Sequence, residues 1–333
     1  MNQPAPVTLA LDAMSGDRGF PVVIEAVDQL VQRGVDTAFI VVGNTEEIRS
    51  AWTNVPSTVS FVDAPEVVTM DDNPVDALRR KKSASMRVAI DLVKQGQAAA
   101  CVSAGNTGAL MAIAKFVLKT IPGIDRPAIM AELPTRDGHL YMLDVGANAS
   151  CTSDQLYQFA VMGEAVASRL MGKAPRVALL NIGSEDVKGN DAVKDAAARL
   201  KTSAVNYVGF IEGSTMFDGD ADVVVADGFS GNVALKTMEG TALLIGSFLK
   251  DAFMRNAGAK LQGLIAKPSL EQLRARMDPR AYNGASLVGL NGIVVKSHGS
   301  ADAIAFAKAI ETATLEIQDN LPATIDRRLN GER

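Results

Sequence analysis

Small polar and cationic side chains stand at the ends of several predicted strands in this 333-residue chain. Groups of this kind suit a reaction in which an anion attacks a carbonyl carbon, because they hold the anion in place and stabilise the oxyanion that forms. If the attacking anion is inorganic phosphate, the enzyme does not need a covalent intermediate. The candidate groups are Ser103, Gly105, Asn106 and Thr107; Asp144 and Asn148; Ser184 and Lys188; Ser230, Gly231 and Asn232; and Lys296 and His298.

Three of these residues are candidates for direct catalytic roles. Asn232 could donate to the oxyanion, and Lys188 could compensate the charge of the phosphate. A thiol leaving group has a pKa of roughly 8.5, so modest help from His298 would be enough to release it. A structural histidine and a solvated loop lysine remain the simpler interpretations of His298 and Lys188.

Three strand-to-helix junctions share the spacing G-x-x-G, at Gly16–Gly19, Gly105–Gly108 and Gly228–Gly231. The spacing fits neither the dinucleotide fingerprint nor the phosphate loop of nucleotide-binding proteins. Short turns explain any one junction. In an open α/β sheet, however, such loops converge on one crevice, where helix N-termini favour anions. The pattern predicts phosphate against Gly105–Thr107 and Ser230–Asn232.

Composition excludes several other classes. Two cysteines and two histidines make a zinc site improbable, and no G-x-S-x-G motif supports a serine hydrolase. A net charge of −5 argues against nucleic-acid binding. One basic run could steer an acidic protein partner or form a solvated helix face; it consists of Arg79, Arg80, Lys81 and Lys82.

The elements that must position these groups alternate between short β-rich runs and amphipathic segments, which indicates an α/β fold with a mostly parallel sheet. We expect one domain over residues 5–325, a protruding helical hairpin at about 230–277, and a C-terminal tail over 326–333. The N-terminus resembles neither a signal peptide nor a spanning helix, so a cytoplasmic protein is expected.

Long motifs make the chain similar to the bacterial phosphate acyltransferases of phospholipid synthesis. The motifs cover nearly the whole chain: LDAMSGD ending at Asp17, NPVDALRRKKSASM at 73–86, SAGNTGAL at 103–110, GIDRPA at 123–128, LDVGAN at 143–148, LLNIGSEDVKGN at 179–190, ADVVVADGFSGNVALKTMEG at 221–240, NGASLVGL at 283–290 and VKSHGS at 295–300.

The resemblance implies a three-layer α/β/α fold like that of phosphotransacetylases and isopropylmalate dehydrogenases, usually as a homodimer and without metal or nucleotide cofactor. It implies transfer of a fatty acyl group from acyl carrier protein to inorganic phosphate. The acyl phosphate then serves a membrane glycerol-3-phosphate acyltransferase. Ser15 stands where the family usually has glycine. A positive φ there would cost about 1 kcal/mol.

The hairpin carries three aliphatic residues between Lys260 and Lys267, namely Leu261, Leu264 and Ile265. This pattern predicts a tip that lies weakly and reversibly in the membrane interface, at the inner face of the cell membrane. Packing across a dimer or under an acyl pocket is the alternative.

Other functions stay open on the sequence alone. A short-chain phosphotransacetylase would use coenzyme A thioesters, and a non-catalytic adaptor would only bind the carrier protein or the membrane. A decarboxylating dehydrogenase would need clustered acidic metal ligands, for which Asp222 and Asp227 are too few.

Overall fold

A computed structural model describes residues 7–331 of the chain. Within these residues, eleven strands form a single sheet. The strands are β1 (Val7–Asp12), β2 (Thr37–Gly43), β3 (Val59–Asp63), β4 (Ala100–Ser103), β5 (Ala128–Thr135), β6 (Gly138–Leu143), β7 (Val177–Leu180), β8 (Tyr207–Ile211), β9 (Val223–Val225), β10 (Ala285–Val288) and β11 (Ile293–Lys296).

Helices cover both faces of the sheet. The helices are α1 (Phe20–Gln32), α2 (Thr45–Ala51), α3 (Pro74–Arg80), α4 (Ser85–Lys94), α5 (Thr107–Leu118), α6 (Ser153–Met171), α7 (Asp191–Lys201), α8 (Gly228–Met254), α9 (Ala257–Met277), α10 (Ala303–Gln318) and α11 (Leu321–Leu329), with short 3₁₀ turns at Met216–Asp218 and Pro279–Tyr282. The predicted three-layer α/β/α fold is confirmed.

The sheet runs in the order β3-β2-β1-β4-β11-β10-β5-β6-β9-β7-β8. Most neighbours are parallel, but β10 is antiparallel to both β11 and β5, and β5 is antiparallel to β6. Strands β6, β9, β7 and β8 therefore run opposite to β1, β4 and β11. The carboxyl ends of the two halves do not lie at the same end of the sheet, which corrects the expectation of simple convergence.

Alternating strand residues separate the core into two layers. Ala10 of β1 and Val224 of β9 contribute to one layer, beneath α4 and α5. On the opposite face, Leu9 and Leu11 pack beneath α1 and α10, and Val223 packs beneath α6. The period of two residues along each strand thus decides which side chain meets which helix layer.

The hairpin is formed by α8 and α9. Its turn lies at Arg255–Asn256, where the Asn256 side chain accepts a hydrogen bond from the Ala259 amide (2.8 Å) and starts α9. The segment Lys260–Lys267, which was expected at the tip of the hairpin, therefore lies inside α9 rather than in the turn. Asparagine is a strong helix N-cap, and this cap outweighs the nearby glycines.

The chain end packs on the domain rather than leaving it at residue 326. Ile325 is buried, and Arg328 donates to the Glu164 carboxylate at 2.5 and 2.8 Å. The last two residues of the expected tail, 332 and 333, lie outside the described residues. Among those described, none of the helices combines the length and the apolar character needed to cross a bilayer.

One carboxyl group lies deep in the core. Glu316 of α10 is 3% exposed and its only polar side-chain partner in the described chain is the Ser286 hydroxyl of β10. Burial raises the pKa of Glu316 to about 8. The group is therefore mostly protonated at neutral pH in the folded protein.

Candidate active site

A buried carboxylate organises the loops at the end of β1 and β4. Asp12 is fully buried and accepts hydrogen bonds of 2.6 Å from the hydroxyls of Ser85 and Ser103. The Ser103 oxygen in turn accepts from the Gly105 amide (3.1 Å). Ser103 therefore fixes the shape of the loop ahead of α5, and its hydroxyl proton is already used.

Asn106 caps α5 and holds a neighbouring loop. Its Oδ1 accepts from the Ala109 amide (3.0 Å), and its Nδ2 donates to the carbonyls of Met70 (2.7 Å) and Asp72 (3.2 Å). The next residue, Thr107, is exposed at the first position of the helix. Asn106 and Thr107 were both predicted to bind phosphate. The structure shows that the Asn106 side chain positions the loop, whereas Thr107 is exposed.

A second buried carboxylate organises the loop after β6. Asp144 accepts from the amides of Ile129 (3.0 Å) and Ala147 (2.9 Å), and from both the backbone and side-chain nitrogens of Asn148 (2.7 and 2.9 Å). Burial raises its pKa, while these hydrogen bonds act in the opposite direction. Asn148 also donates to the Pro127 carbonyl (2.9 Å), so its amide group is a strut of the loop.

The start of α8 packs directly on this loop. The Gly228 amide donates to the Asn148 carbonyl (2.7 Å), and a Cβ at Gly231 would lie 1.9 Å from the Asp144 carbonyl oxygen. Glycine is needed at 231 because any side chain would collide with backbone. This close approach places exposed Asn232 beside Gly146, with 3.8 Å between the Asn232 side chain and an ideal Cβ at Gly146.

Three of the backbone amides that were expected to form an anion cradle at Gly228–Gly231 already have partners, namely those of Gly228, Ser230 and Gly231. Asp227 caps the helix and accepts from the Ser230 amide (2.8 Å) and hydroxyl (3.0 Å). The Gly231 amide donates to the Asp227 carbonyl (2.9 Å). The Asp227 carboxylate thus caps the start of α8. The side-chain amide of Asn232 is the hydrogen-bond donor that remains exposed at this junction.

Lys188 lies on the loop after β7. The loop is held by hydrogen bonds from the Asn181 side chain to the Lys188 carbonyl (3.2 Å) and from the Lys188 amide to the Glu185 carbonyl (3.0 Å). The side chains of Lys188 and Ser184 are exposed. Lys188 therefore lies on a loop held by hydrogen bonds. This loop follows β7, in the same half of the sheet as β9, the strand that leads into α8 and Asn232.

His298 lies after β11, in the other half. Its amide donates to the Asn283 side chain (2.9 Å), and its Nδ1 accepts from the Ser300 amide (3.2 Å). Because Nδ1 accepts, the proton of the neutral ring is on Nε2. Burial, followed by the positive charge of Lys236, lowers the pKa of His298. The ring is therefore a neutral hydrogen-bond donor at pH 7.

A groove and one helix connect the two halves. The groove has a volume of about 240 Å³ and runs beside α5 to the loop after β6; it is lined by Thr107, Gly108, Met111, Ala112, Lys115, Arg126, Pro127, Gly146, Ala147 and Asn148. Helix α8 carries Asn232 and, one turn later, Lys236, whose charge lowers the pKa of both His298 and Lys296. The two clusters therefore border one crevice.

Sequence reasoning assigned no role to Arg126 or Lys236, and it named Lys296 as a candidate group without a specific role. All three lie within the quoted motifs, but only the folded chain shows that Arg126 lines the groove and that Lys296 is buried. The expected strain at Ser15 is absent, because the positive φ falls on Gly16 (90°) instead.

The basic run does not act as one surface. Lys81 donates to the Val67 carbonyl (2.7 Å) and to Asp72 (2.6 Å). The hydrogen bond from Lys81 lowers the pKa of Asp72. Arg79, Arg80 and Lys82 are exposed. Three cations, rather than four, are thus available for a partner.

The acidic residues considered for a dehydrogenase also have structural partners. Burial would raise the pKa of Asp222, but hydrogen bonds from Arg176 and Lys173 lower it to about 2. Asp227 caps α8. Within residues 7–331, no group of three His, Cys, Asp or Glu side chains is placed to hold a metal ion.

Comparison with known proteins gives the family and the fold of the chain. The profile of the family described as fatty acid synthesis protein matches residues 7–324. A phosphate acyltransferase of Alkalilimnicola ehrlichii is 56% identical over 328 residues, covering 97% of this chain and 96% of the relative. One from Legionella pneumophila is 51% identical over 330 residues, with the same coverage. A phosphotransacetylase of Streptococcus pyogenes shares the fold (TM-score 0.65, 17% identity, 94% of each chain).

Proposed function

The chain belongs to the phosphate acyltransferase family of fatty acid synthesis proteins, which are acyltransferases, and from this premise we propose that it transfers a long-chain fatty acyl group from acyl carrier protein to inorganic phosphate. The observation that carries the proposal is the crevice itself. Cations, a neutral imidazole donor and an exposed amide border it, and the charged carboxylates nearby are engaged in loops and helix caps. The product would be an acyl phosphate for phospholipid synthesis.

In this reaction a phosphate oxygen attacks the thioester carbonyl carbon. A new C–O bond forms, the carbonyl oxygen becomes an oxyanion, and the C–S bond then breaks to release the carrier thiolate, which takes up a proton. The protein has to hold phosphate against the carbonyl and stabilise the oxyanion. Neither task requires a covalent intermediate.

Asn232 is proposed as the oxyanion donor, because it is exposed at the crevice and held in place by the close contact of Gly231 with Asp144. Loss of one such donor costs about 10²- to 10³-fold in kcat in other enzymes. We expect Asn232→Ala to lower kcat by about 10- to 1,000-fold with little change in folding.

His298 and Lys188 are proposed to assist the thiolate and the phosphate, respectively. Nε2 of His298 carries a proton when the ring is neutral, which suits hydrogen bonding to a departing thiolate of similar basicity to cysteine. If His298→Ala keeps wild-type turnover with both good and poor thiol leaving groups, this role is wrong. Lys188 supplies a mobile positive charge from the loop after β7.

The direct test is to incubate the purified protein with long-chain acyl carrier protein and phosphate, and to trap the acyl phosphate with hydroxylamine. Acyl-coenzyme A in place of the carrier thioester is the comparison that separates the proposal from a short-chain phosphotransacetylase. Thioester cleavage that does not depend on phosphate would refute the proposal. The absence of any cleavage would also refute it and would favour a non-catalytic binding protein.

Two surfaces are proposed for partners of this reaction. Exposed Arg79, Arg80 and Lys82 would steer the acidic carrier protein. On α9, Leu261, Leu264 and Ile265 are 60%, 67% and 75% exposed, which supports either a membrane contact or the interface of a homodimer. A weak membrane contact would release the acyl phosphate near a membrane glycerol-3-phosphate acyltransferase.

A further inference from the structure

Lys296 is a buried cation without a carboxylate partner in contact. It ends β11, is 8% exposed, and forms no ion pair within 4.0 Å in the described chain. Its Nζ donates to the carbonyl oxygens of Ala104 (3.4 Å) and Ser297. An ammonium group has three protons, so two carbonyl contacts leave one donor. Burying such a charge is costly unless a counter-charge arrives.

The surroundings of Lys296 are also those of an anion site. Ala104 lies just ahead of α5, a twelve-residue helix whose N-cap, Asn106, is neutral. The partial positive charge of this helix start is therefore not neutralised by its cap, in contrast with α8, where Asp227 is a carboxylate. Lys236 adds a further positive charge near Lys296.

A second, independent observation points to the same place. The Ser15 hydroxyl is buried, at 4% exposure of the residue, and has no hydrogen-bond partner among the described residues. It lies against the loop ahead of α5, since an ideal Cβ at Gly105 would be 2.9 Å from Ser15 Oγ. A buried hydroxyl without a partner calls for a missing ligand or water.

We propose that Lys296 is a second cation, besides Lys188, for the acceptor phosphate and binds it ahead of α5, with the Ser15 hydroxyl as an additional donor. The inference deepens the proposed function, on which it rests, by naming the residues that hold its acceptor. Ser15 Oγ is covered in this structure, so its contact with phosphate requires a local shift of the surrounding loops. A smaller contribution is therefore expected from Ser15 than from Lys296.

The charge of Lys296 gives the site a pH dependence. Burial, and next the charge of Lys236, lower the pKa of Lys296 to about 8, while Asp12 and Asp17 act in the opposite direction. The other titratable group facing it is His298, whose own pKa is lowered. Above about pH 8, Lys296 of the free protein loses its positive charge, so phosphate should bind more weakly. Lys296 should then take up a proton when phosphate binds.

The first experiment measures inorganic phosphate binding by isothermal titration calorimetry, which does not require turnover. Lys296→Met should weaken binding at pH 7.5 by about 100-fold or more, and Ser15→Ala by about 10-fold (~1.4 kcal/mol). The matched controls, at exposed positions, are Lys94→Met and Ser214→Ala, which should bind as the wild type does. At pH 8.5, titrations in two buffers of different ionisation enthalpy should show proton uptake by the wild type but not by Lys296→Met.

The second experiment is kinetic and separates a phosphate ligand from a structural lysine. KM for phosphate should rise in Lys296→Met while KM for the acyl donor stays within about threefold. Equal phosphate affinity in wild type, Lys296→Met and Ser15→Ala would overturn the inference even if acyl phosphate is formed. Conversely, Lys296-dependent phosphate binding without acyl phosphate formation would refute the proposed function and leave the phosphate site standing. If Lys296→Met does not fold, the Ser15→Ala titration and the buffer-dependent proton uptake of the wild type decide the question.

Discussion

The contact between Gly231 and the Asp144 carbonyl provides a sharp test of how the fold positions Asn232. In Gly231→Ala the new Cβ would lie 1.9 Å from the Asp144 oxygen and 3.4 Å from the Val145 Cα. Ordinary contacts of this kind are about 3.5 Å or longer. The Asp144 side chain accepts hydrogen bonds from several amides, so the loop is held and α8 must move by about 1 Å or more.

We expect Gly231→Ala to lower stability by about 1 to 3 kcal/mol, as overpacking does, and to lower kcat by about 100-fold because Asn232 moves with the helix. The matched control is Gly240→Ala in the same helix, where an ideal Cβ meets no atom within 4 Å. It should stabilise the protein by about 0.5 to 1 kcal/mol.

The assays are thermal unfolding and steady-state acyl phosphate formation for both variants. If Gly231→Ala keeps wild-type Tm and kcat, the close approach does not position Asn232 and the reasoning fails. Equal activity loss in Gly240→Ala would mean that α8 tolerates no added methyl group anywhere, and would also refute the specific role of this contact.

Three further predictions follow from the same structure. Because the folded protein binds the Glu316 proton more tightly than the unfolded chain does, stability should fall by about 3 kcal/mol between pH 4.5 and pH 7, and Glu316→Gln should remove this slope in urea unfolding curves. Reversal of charge at Arg79 and Arg80 should raise KM for carrier-protein thioesters at low salt but not for acyl-coenzyme A; equal effects on both donors would count against docking. Replacing Leu261 and Leu264 by Glu should abolish sedimentation with anionic liposomes while soluble activity persists, whereas monomerisation or unfolding would place these side chains in a protein interface.

Most of the fold could be predicted because strands and helices leave local periodic signals. Ten of the strands lie in the β-rich runs of the sequence, but β10 does not stand out: it has four residues, is antiparallel, and is bounded by Gly284 and Gly289. Because β10 is antiparallel to both neighbours, β5 still runs in the direction of β11. The direction of half the sheet is reversed at the antiparallel β5–β6 pair, whose strands are separated only by Arg136 and Asp137. The mostly parallel sheet was predicted correctly, but the expectation that all the strand-end loops meet at one end of it was wrong. The two-residue connection between β5 and β6 is the local signal that could have revealed this.

The candidate site was less predictable, because side-chain availability depends on distant partners. The Ser103 hydroxyl donates to Asp12, which lies 91 positions away in the chain. Lys296 is buried and donates to the carbonyl of Ala104, which is also far away in the sequence. Asn106 is a different case. Its capping bond spans only three residues and is typical of asparagine before a helix, so its structural use could have been inferred.

The two helix starts divide the chemistry of the crevice between them. Asp227 places a carboxylate on α8, so that helix start repels a phosphate dianion yet can still present the neutral amide of Asn232 to a carbonyl oxygen. The start of α5 has the neutral cap Asn106 and the buried cation Lys296 close by, so it attracts the dianion. Phosphate bound ahead of α5 and a thioester carbonyl held near α8 would approach each other along the groove between them. The difference in charge between the two caps would thus favour one orientation of the reacting pair.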